Sequence, residues 1–262
     1  MVNLPFLLGY IASGFLGAVI GSFLNVCIYR LPRSMSIISP GSHCPHCGKP
    51  IVFYDNIPIL SYLFLKGKCR NCNTLISFKY PLVEFLNTIL YLLVFWKFGY
   101  AFSTLFFFSF CSALLIVTFV DLEFRIIPDS ISLPGIIVGF IASFFSKWIS
   151  PLDSLMGIFL GGGFLFLVAV FYEKVMKKEG MGGGDIKLLA MIGAFLGWKS
   201  IPFVILVSSF LGACVGMLVI FIRKKDTKYA IPFGPFLSLA AILYLFVGPP
   251  LIRWYLSLGK VG

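Results

Sequence analysis

Charged residues are scarce in this chain. Only 12% of its 262 residues are charged, and ten of them are Asp or Glu, whereas about a quarter of the residues of a soluble domain carry charge. Hydrophobic residues make up 59% of the chain and its mean hydropathy is +1.00. A soluble domain could not bury that much apolar surface. The composition therefore excludes a soluble globular protein and predicts one that crosses a membrane several times.

Positive charge is absent from the beginning of the chain. The first Lys or Arg is Arg30, which follows the first apolar run, so we do not expect a cleavable signal peptide, because such a peptide begins with a basic segment. The chain as a whole has a net charge of +11. In a membrane protein this excess indicates basic loops on the cytoplasmic side. We therefore expect a lipid bilayer, and no nucleic acid, as a partner.

Eight apolar runs predict the fold class, an all-α polytopic membrane protein with about eight transmembrane helices. The runs cover residues 5–28, 80–97, 101–120, 130–147, 153–172, 185–198, 200–222 and 233–256. A full crossing takes about 20 residues, so the sixth run is short for one. It begins at a glycine run, and irregular backbone there must be covered by protein or water.

The basic residues predict the orientation of these spans. Sixteen of the 21 Lys and Arg residues lie in four segments, residues 29–79, 121–129, 173–187 and 223–232. By the positive-inside rule these segments are cytoplasmic, and both termini lie outside. We accordingly expect a first transmembrane helix at 1–29, a small cytoplasmic zinc-binding domain at 30–79 and a seven-span membrane domain at 80–262.

Two Cys-x-x-Cys pairs lie in the polar segment between the first and second spans. Facing each other, they would supply four thiolates in a tetrahedron, as in a closed structural zinc site. A filled tetrahedron leaves no position for a substrate, so we assign Zn²⁺ a structural role; reduced free thiols or a redox pair are the alternatives. The predicted metal ligands are Cys44, Cys47, Cys69 and Cys72.

Two acidic residues lie where apolar runs meet predicted cytoplasmic loops. Asp121 ends the third run and Asp185 opens the sixth, and a carboxylate at the edge of the hydrocarbon is costly enough to suggest function. Two carboxyls that share a site can divide the roles of acid and base. Helix polarity favours Asp185 as the ionised member and Asp121 as the proton holder. The pair predicts an aspartic protease.

Other residues have two interpretations each. Gly182 and Gly184 could provide positive φ or close backbone approach to a peptide substrate, or they could form a flexible turn capped by Asp185. Asp129 is interpreted either as a helix cap or as a residue that supports the active site. Glu84 either balances a helix dipole or binds a substrate amine. Arg30 most simply snorkels to the lipid headgroups.

Several separate segments of the chain resemble the motifs of one family. They are Gly-Ser-Phe-Leu-Asn-Val at 21–26 with Arg-Leu-Pro at 30–32, the two Cys pairs, Tyr-Pro-Leu-Val-Glu at 80–84, Asp121 with Ile-Pro-Asp at 127–129, and Gly-Gly-Gly-Asp-Ile-Lys at 182–187. In this order they resemble the bacterial type IV prepilin peptidases, which are membrane aspartic proteases of the Gly-x-Gly-Asp class. The resemblance covers nearly the whole chain.

The resemblance implies a location and two activities. Such enzymes lie in the bacterial cytoplasmic (inner) membrane and remove the basic leader of type IV prepilins and pseudopilins, on the cytoplasmic side and just after a glycine. Asp121 and Asp185 would be the catalytic pair. Many members then methylate the new N-terminal amine with S-adenosylmethionine. The residues that carry this step are not localised; the cytoplasmic loop and Glu84 are candidates, and the chain has no Rossmann-type glycine motif.

Three other interpretations stay open at this point. A protease like presenilin or signal peptide peptidase shares the Gly-x-Gly-Asp motif, but Val120 and not Tyr precedes Asp121 here, and the Cys domain is not expected there. A proton-coupled transporter would place its acids near the bilayer midplane and would contain an inverted repeat. An inactive membrane scaffold would tolerate the loss of both acids.

Overall fold

The fold is all-helical, as the sequence predicts. A computed structural model describes residues 4–176, 182–223 and 232–258, and within these residues there are helices and isolated bridges but no β-strand. Parts of the predicted basic segments 173–187 and 223–232, namely 177–181 and 224–231, lie outside the described residues.

Within the described residues, eight long helices match the eight apolar runs, and one short helix lies in the loop between the first two. The nine are α1 (Leu4–Arg30), α2 (Leu60–Phe64), α3 (Lys79–Phe98), α4 (Phe102–Phe124), α5 (Asp129–Phe145), α6 (Pro151–Met176), α7 (Gly183–Leu196), α8 (Ser200–Arg223) and α9 (Gly234–Leu258). Over the described part of the chain, six of them are long and apolar enough to cross a membrane; α5 and α7, with 17 and 14 residues, are shorter. The chain is an integral membrane protein.

The chain divides into two compact units, Met1–Ile116 and Val117–Gly262. In the first unit α1 packs closely on α3, because α1 has glycines where the helices meet. The side chain of Asn87 in α3 donates a hydrogen bond of 2.8 Å to the carbonyl of Gly17 and accepts one of 3.0 Å from the Ser112 hydroxyl. Small residues and buried polar contacts of this kind hold helices together in lipid, where burial of apolar surface gives little driving force.

In the second unit α7 lies at the centre, packed against α5, α6, α8 and α9. Nine consecutive residues, 188–196, are buried, so the helix is apolar on all sides, as a core helix must be. At 1.5 Å per residue it is about 21 Å long, against about 30 Å for the hydrocarbon core. Since protein surrounds it, this helix does not need the length of a lipid-facing span.

The crossing of α6 and α7 depends on two glycines. A methyl group on Gly157 would overlap the carbonyl of Gly193, and one on Gly193 would overlap the carbonyl of Gly157. We expect Gly193→Ala to destabilise the protein by about 1–3 kcal/mol, because two backbones must move apart. Thermal unfolding in detergent measures this. The control is Gly163→Ala in α6, where an added methyl meets nothing within 4 Å; equal unfolding temperatures for the two variants would contradict the close crossing.

Candidate active site and candidate metal centre

Asp121 lies in the last turn of α4, because this helix continues past the predicted end of its apolar run to Phe124. The residue is only 5% exposed. Its Oδ2 atom accepts a hydrogen bond of 2.9 Å from the backbone N–H of Gly234. Gly234 is the first residue of α9, where backbone N–H groups have no partner within the helix. The carboxyl of Asp121 therefore accepts a hydrogen bond from a backbone N–H group that has no partner within α9.

Asp185 lies in the first turn of α7 and is half-buried. Its backbone N–H donates to the carbonyl of Gly182 at 3.1 Å. The carboxyl is close enough to that of Asp121 for the two charges to interact. The structure thus brings together the two acids that the sequence selects, although 63 positions separate them in the chain. Each lies in an end turn of its helix, and not midway along it.

Helix polarity alone predicts an ionised Asp185 and a protonated Asp121, because Asp185 lies at the N-terminus of α7 and Asp121 at the C-terminus of α4. The structure adds the N-terminus of α9 beside Asp121, and this end favours a negative charge. Asp121 thus experiences two helix ends of opposite sign, so helix ends do not decide which carboxyl holds the proton.

The glycine run before Asp185 differs from the sequence prediction in one respect. Positive φ is wrong for these residues: Gly182 has φ −67°, and Gly183 and Gly184 already belong to α7. Close approach is found at Gly184, where an added Cβ would lie 2.8 Å from Cβ of Ile127. A Cβ on Gly182 would lie 3.7 Å from Oδ2 of Asp185, an ordinary contact.

Ile127 and Gly234 are site residues that the sequence analysis missed. A Cβ on Gly234 would lie 2.8 Å from Oδ2 of Asp121 and 3.2 Å from Cδ1 of Ile127. Ile127 thus lies against both Gly184 and Gly234. The Phe-Gly-Pro sequence at 233–235 signals the start of a helix, but it gives no sign that this start meets Asp121.

Asp129 is the first residue of α5 and not its cap; Pro128 occupies the N-cap position and makes no capping hydrogen bond through a side chain. The carboxylate of Asp129 instead accepts two hydrogen bonds from Nζ of Lys187, at 2.7 and 2.8 Å. Both side chains are substantially exposed, and exposed ion pairs contribute about 0–1 kcal/mol. The pair joins the starts of α5 and α7, and so lies two residues after Asp185.

The four cysteines of the loop form one cluster. The sulfur atoms of Cys44, Cys47, Cys69 and Cys72 all lie within 4.8 Å of one another. The Sγ atoms of Cys44 and Cys72 are 3.8 Å apart. Four thiolates around Zn²⁺ at about 2.3 Å place neighbouring sulfur atoms at roughly 3.8 Å. The cluster therefore has the ligand number and the spacing of a metal site.

Each Cys pair is built by the same turn. Cys44 donates its N–H to the carbonyl of Lys49, and Cys69 donates to that of Thr74, both at 2.9 Å. The residue after each second cysteine has positive φ: Gly48 at 70° and Asn73 at 56°. Glycine and asparagine tolerate this left-handed conformation best. The similarity of these two turns was not predicted from the sequence.

Hydrogen bonds favour the thiolate form in part of the cluster. Contacts with the side chain and backbone of Thr74 lower the pKa of the Cys72 thiol to about 6. Backbone N–H groups of Cys47 and His46 lower the pKa of the Cys44 thiol. Metal ligation requires the thiolate, so these hydrogen bonds favour ligation by Cys44 and Cys72, whereas the pKa of the Cys47 thiol is raised to about 11.

Two charged residues near the loop are buried and bound to backbone. Arg30 is 5% exposed and donates to the carbonyls of Ser36 and Pro40, at 2.8 and 2.6 Å, so the interpretation that it snorkels to lipid is wrong. Glu84 in α3 is 8% exposed, and its Oε2 accepts a hydrogen bond of 2.7 Å from the N–H of Ile59.

The fold and the site together define a class, a polytopic membrane protein with paired carboxyls at helix ends and a four-cysteine cluster between its first two spans. Comparison with known families agrees with this class. Residues 15–98 match the bacterial peptidase A24 N-terminal domain, and residues 108–217 match the type IV leader peptidase family. No solved structure matches the chain significantly.

Several relatives resemble the chain along almost its whole length. A prepilin leader peptidase/N-methyltransferase of Pseudomonas aeruginosa is 37% identical, covering 92% of this chain and 91% of the relative. One of Aeromonas hydrophila is also 37% identical, with 91% of each chain covered. One of Legionella pneumophila is 34% identical over 98% of this chain and 97% of the relative. The chain belongs to the type IV leader peptidase family.

Proposed function

We propose that this protein is a membrane aspartic endopeptidase that removes the basic leader of type IV prepilins and pseudopilins after a glycine, and then methylates the new N-terminus. The observation that carries the proposal is that Asp121 and Asp185, in a chain of this family, lie close enough for their charges to interact. Family membership also disfavours the presenilin-like, transporter and scaffold interpretations.

In this proposal the two carboxyls divide the work of peptide hydrolysis. One, in its ionised form, takes a proton from water as the water oxygen bonds to the scissile carbonyl carbon. The other, in its protonated form, gives its proton to the carbonyl oxygen; the C–N bond then breaks and the leaving amine takes up a proton. Gly182, Gly184 and Asp129 support this site, Gly184 by making room for Ile127 and Asp129 through Lys187.

The depth of the site suits a substrate with a charged head and an apolar body. Asp121 and Asp185 lie at ends of apolar helices, where the polar leader of a prepilin would meet its hydrophobic segment. We place this side in the cytoplasm, both termini outside, and the protein in the bacterial inner membrane, because basic residues concentrate in the loops that adjoin the site. We also propose the division into 1–29, 30–79 and 80–262.

We further propose that the cysteine cluster binds one structural Zn²⁺ ion. The support is its four sulfur ligands and their spacing. The loop has few buried apolar residues of its own, so a metal would supply folding free energy that its core does not.

Replacement of one ligand tests the metal. Purified wild-type protein should carry about one zinc ion per chain, and Cys44→Ser should lose most of it, because three ligands leave the tetrahedron open. The metal content is measured by mass spectrometry of the elements. The matched control is Cys214→Ser, an exposed cysteine of α8 outside the cluster. Zinc retained equally in both variants would contradict the four-thiolate site.

For methylation, the new N-terminal amine would bond to the methyl carbon of S-adenosylmethionine as the bond from that carbon to sulfur breaks; S-adenosylhomocysteine would leave, and the amine would give up a proton to water. Glu84, which lines a cavity in the first unit, is the candidate for holding the methyl donor.

The whole proposal is tested by incubating the purified protein in detergent with a prepilin. Mass spectrometry should find a pilin that has lost its leader after the glycine, and a further gain of one methyl group once S-adenosylmethionine is added. An uncut prepilin would overturn the peptidase assignment. A cut but unmethylated pilin would overturn only the second activity.

A further inference from the structure

A cavity in the first unit lies between the loop ends of α1 and α3 and the loop that joins them. Its volume is about 400 Å³, and its surface is mostly apolar. Ligand pockets for small molecules usually measure about 300–1,000 Å³ and combine apolar walls with a few buried polar groups. The cavity therefore has the size and character of a site for a small molecule.

One polar atom in the wall has no partner. Asn25 is 5% exposed, and its Nδ2 donates to the carbonyl of Tyr80 at 3.0 Å. Its Oδ1 is fully buried and accepts no hydrogen bond. The amide cannot simply be turned round, because Oδ1 would then face the carbonyl oxygen of Tyr80. A buried acceptor without a donor costs about 1–3 kcal/mol, so the atom calls for a ligand that donates an N–H or O–H.

The carboxylate of Glu84 lies in the same cavity wall, on α3, whereas Asn25 lies on α1. Glu84 accepts hydrogen bonds from the N–H of Ile59 and from the hydroxyl of Ser22. Ile59 has φ +63°, a conformation that is strained for a β-branched residue. The bond to Glu84 helps to hold this residue at the edge of the cavity. Strain of this kind persists where the surrounding structure imposes it, often next to a ligand.

The cavity wall also carries three cationic side chains, those of Arg30, Lys49 and Arg70. Together with Glu84, the wall therefore suits a ligand with charges of both signs, such as one with a carboxylate and a cation. A buried carboxylate favours a cation as its partner. An amide carbonyl without a partner favours an N–H donor, such as the amino group of adenine, to which asparagine side chains bind in protein–DNA complexes. The apolar wall, which includes Val26, Ile57 and Tyr62, suits a flat ring. S-adenosylmethionine combines a sulfonium cation, an ammonium group, a carboxylate and an adenine amine.

We propose that this cavity is the binding site for S-adenosylmethionine, with Glu84 as the anion that faces the cationic part of the ligand and Asn25 as an acceptor for one of its N–H groups. The inference rests on the methylation step of the proposed function and adds its location. It places the methyl donor against the cysteine cluster, since Cys44 and Cys69 also line the cavity.

Binding of tritiated S-adenosylmethionine, measured by equilibrium dialysis against the full-length protein, tests the site. Glu84→Gln and Asn25→Ala should each weaken binding about tenfold or more, which is the usual effect of losing one charged or buried hydrogen bond. Glu84→Gln keeps an acceptor for Ile59, and zinc content and the unfolding temperature report whether each variant is folded.

The control is Thr88→Val, one turn further along α3. Thr88 bonds only to the carbonyl of Glu84 among the bonds described for it, and it lies outside the cavity wall. Its affinity should equal that of the wild type. Folded Glu84→Gln and Asn25→Ala proteins that bind as tightly as Thr88→Val would overturn the location.

A measurement on the wild type alone avoids the question of folding. S-adenosylhomocysteine should slow amide deuterium exchange in residues 22–30, 42–62 and 80–84, and protection found only elsewhere would overturn the proposed location. Absence of any binding to the wild type would instead overturn the methylation step itself, and with it this inference. Prepilin cleavage by the same preparation tests the peptidase separately.

Discussion

Gly234→Ala is expected to lower the rate of prepilin cleavage about a hundredfold. The added methyl would lie 2.8 Å from Oδ2 of Asp121 and 3.2 Å from Cδ1 of Ile127, so either the carboxyl or the start of α9 must move. Movement would also weaken the 2.9 Å hydrogen bond from the Gly234 N–H. A displacement of about 1 Å at a reacting group costs on the order of a hundredfold in rate. The loss should fall on kcat, since Gly234 positions a catalytic carboxyl.

The matched control is again Gly163→Ala, because the same substitution at that position meets open space. Both proteins should purify as folded species, and only Gly234→Ala should lose activity. Full cleavage by folded Gly234→Ala would show that Asp121 does not depend on the start of α9.

The positions of the helices could be predicted from the sequence, and for a simple reason. Seven of the eight apolar runs end at or within two residues of a charged residue, and a backbone in lipid must form its hydrogen bonds within the helix. The one important difference is α4, which continues to Phe124. Its last turn carries Asp121, so a polar residue ends the apolar run without ending the helix.

The two acids could also be selected in advance, because the chain has only ten Asp and Glu residues and these two lie where apolar runs meet predicted cytoplasmic loops. Their surroundings could not. Gly234 is 113 positions from Asp121, and Tyr80 is 55 positions from Asn25. Contacts at such distances follow from tertiary packing, and no local pattern encodes them.

For the same reason Asp129 was misjudged as a cap, since its partner Lys187 lies 58 positions away. Arg30 was misjudged as a lipid contact although its partners Ser36 and Pro40 follow it closely in the chain, because the fold of that loop could not be predicted.

Asp121→Asn and Asp185→Asn are each expected to reduce cleavage about a thousandfold or more. Asparagine keeps the size of the side chain but can neither take up a proton from water nor supply one. Removing either member of an acid–base pair stops a step that the other cannot complete alone. At position 121 an amide oxygen can still accept the bond from Gly234, so the fold around α9 should persist and the loss can be assigned to chemistry.

Glu123→Gln is the matched control for this pair. Glu123 lies in the same last turn of α4, two residues after Asp121, and its side chain is exposed. The substitution removes one negative charge from the same helix end with the same change of carboxyl to amide. Its cleavage rate should stay within about twofold of the wild type, as expected for an exposed charge.

The most direct test of the central claim is therefore one assay, the initial rate of leader removal from a prepilin by wild type, Asp121→Asn, Asp185→Asn and Glu123→Gln at equal concentrations of folded protein. A shared catalytic carboxyl pair predicts that the wild type and Glu123→Gln cut the prepilin while both Asp variants leave it intact. Undiminished leader removal by either Asp variant would contradict it.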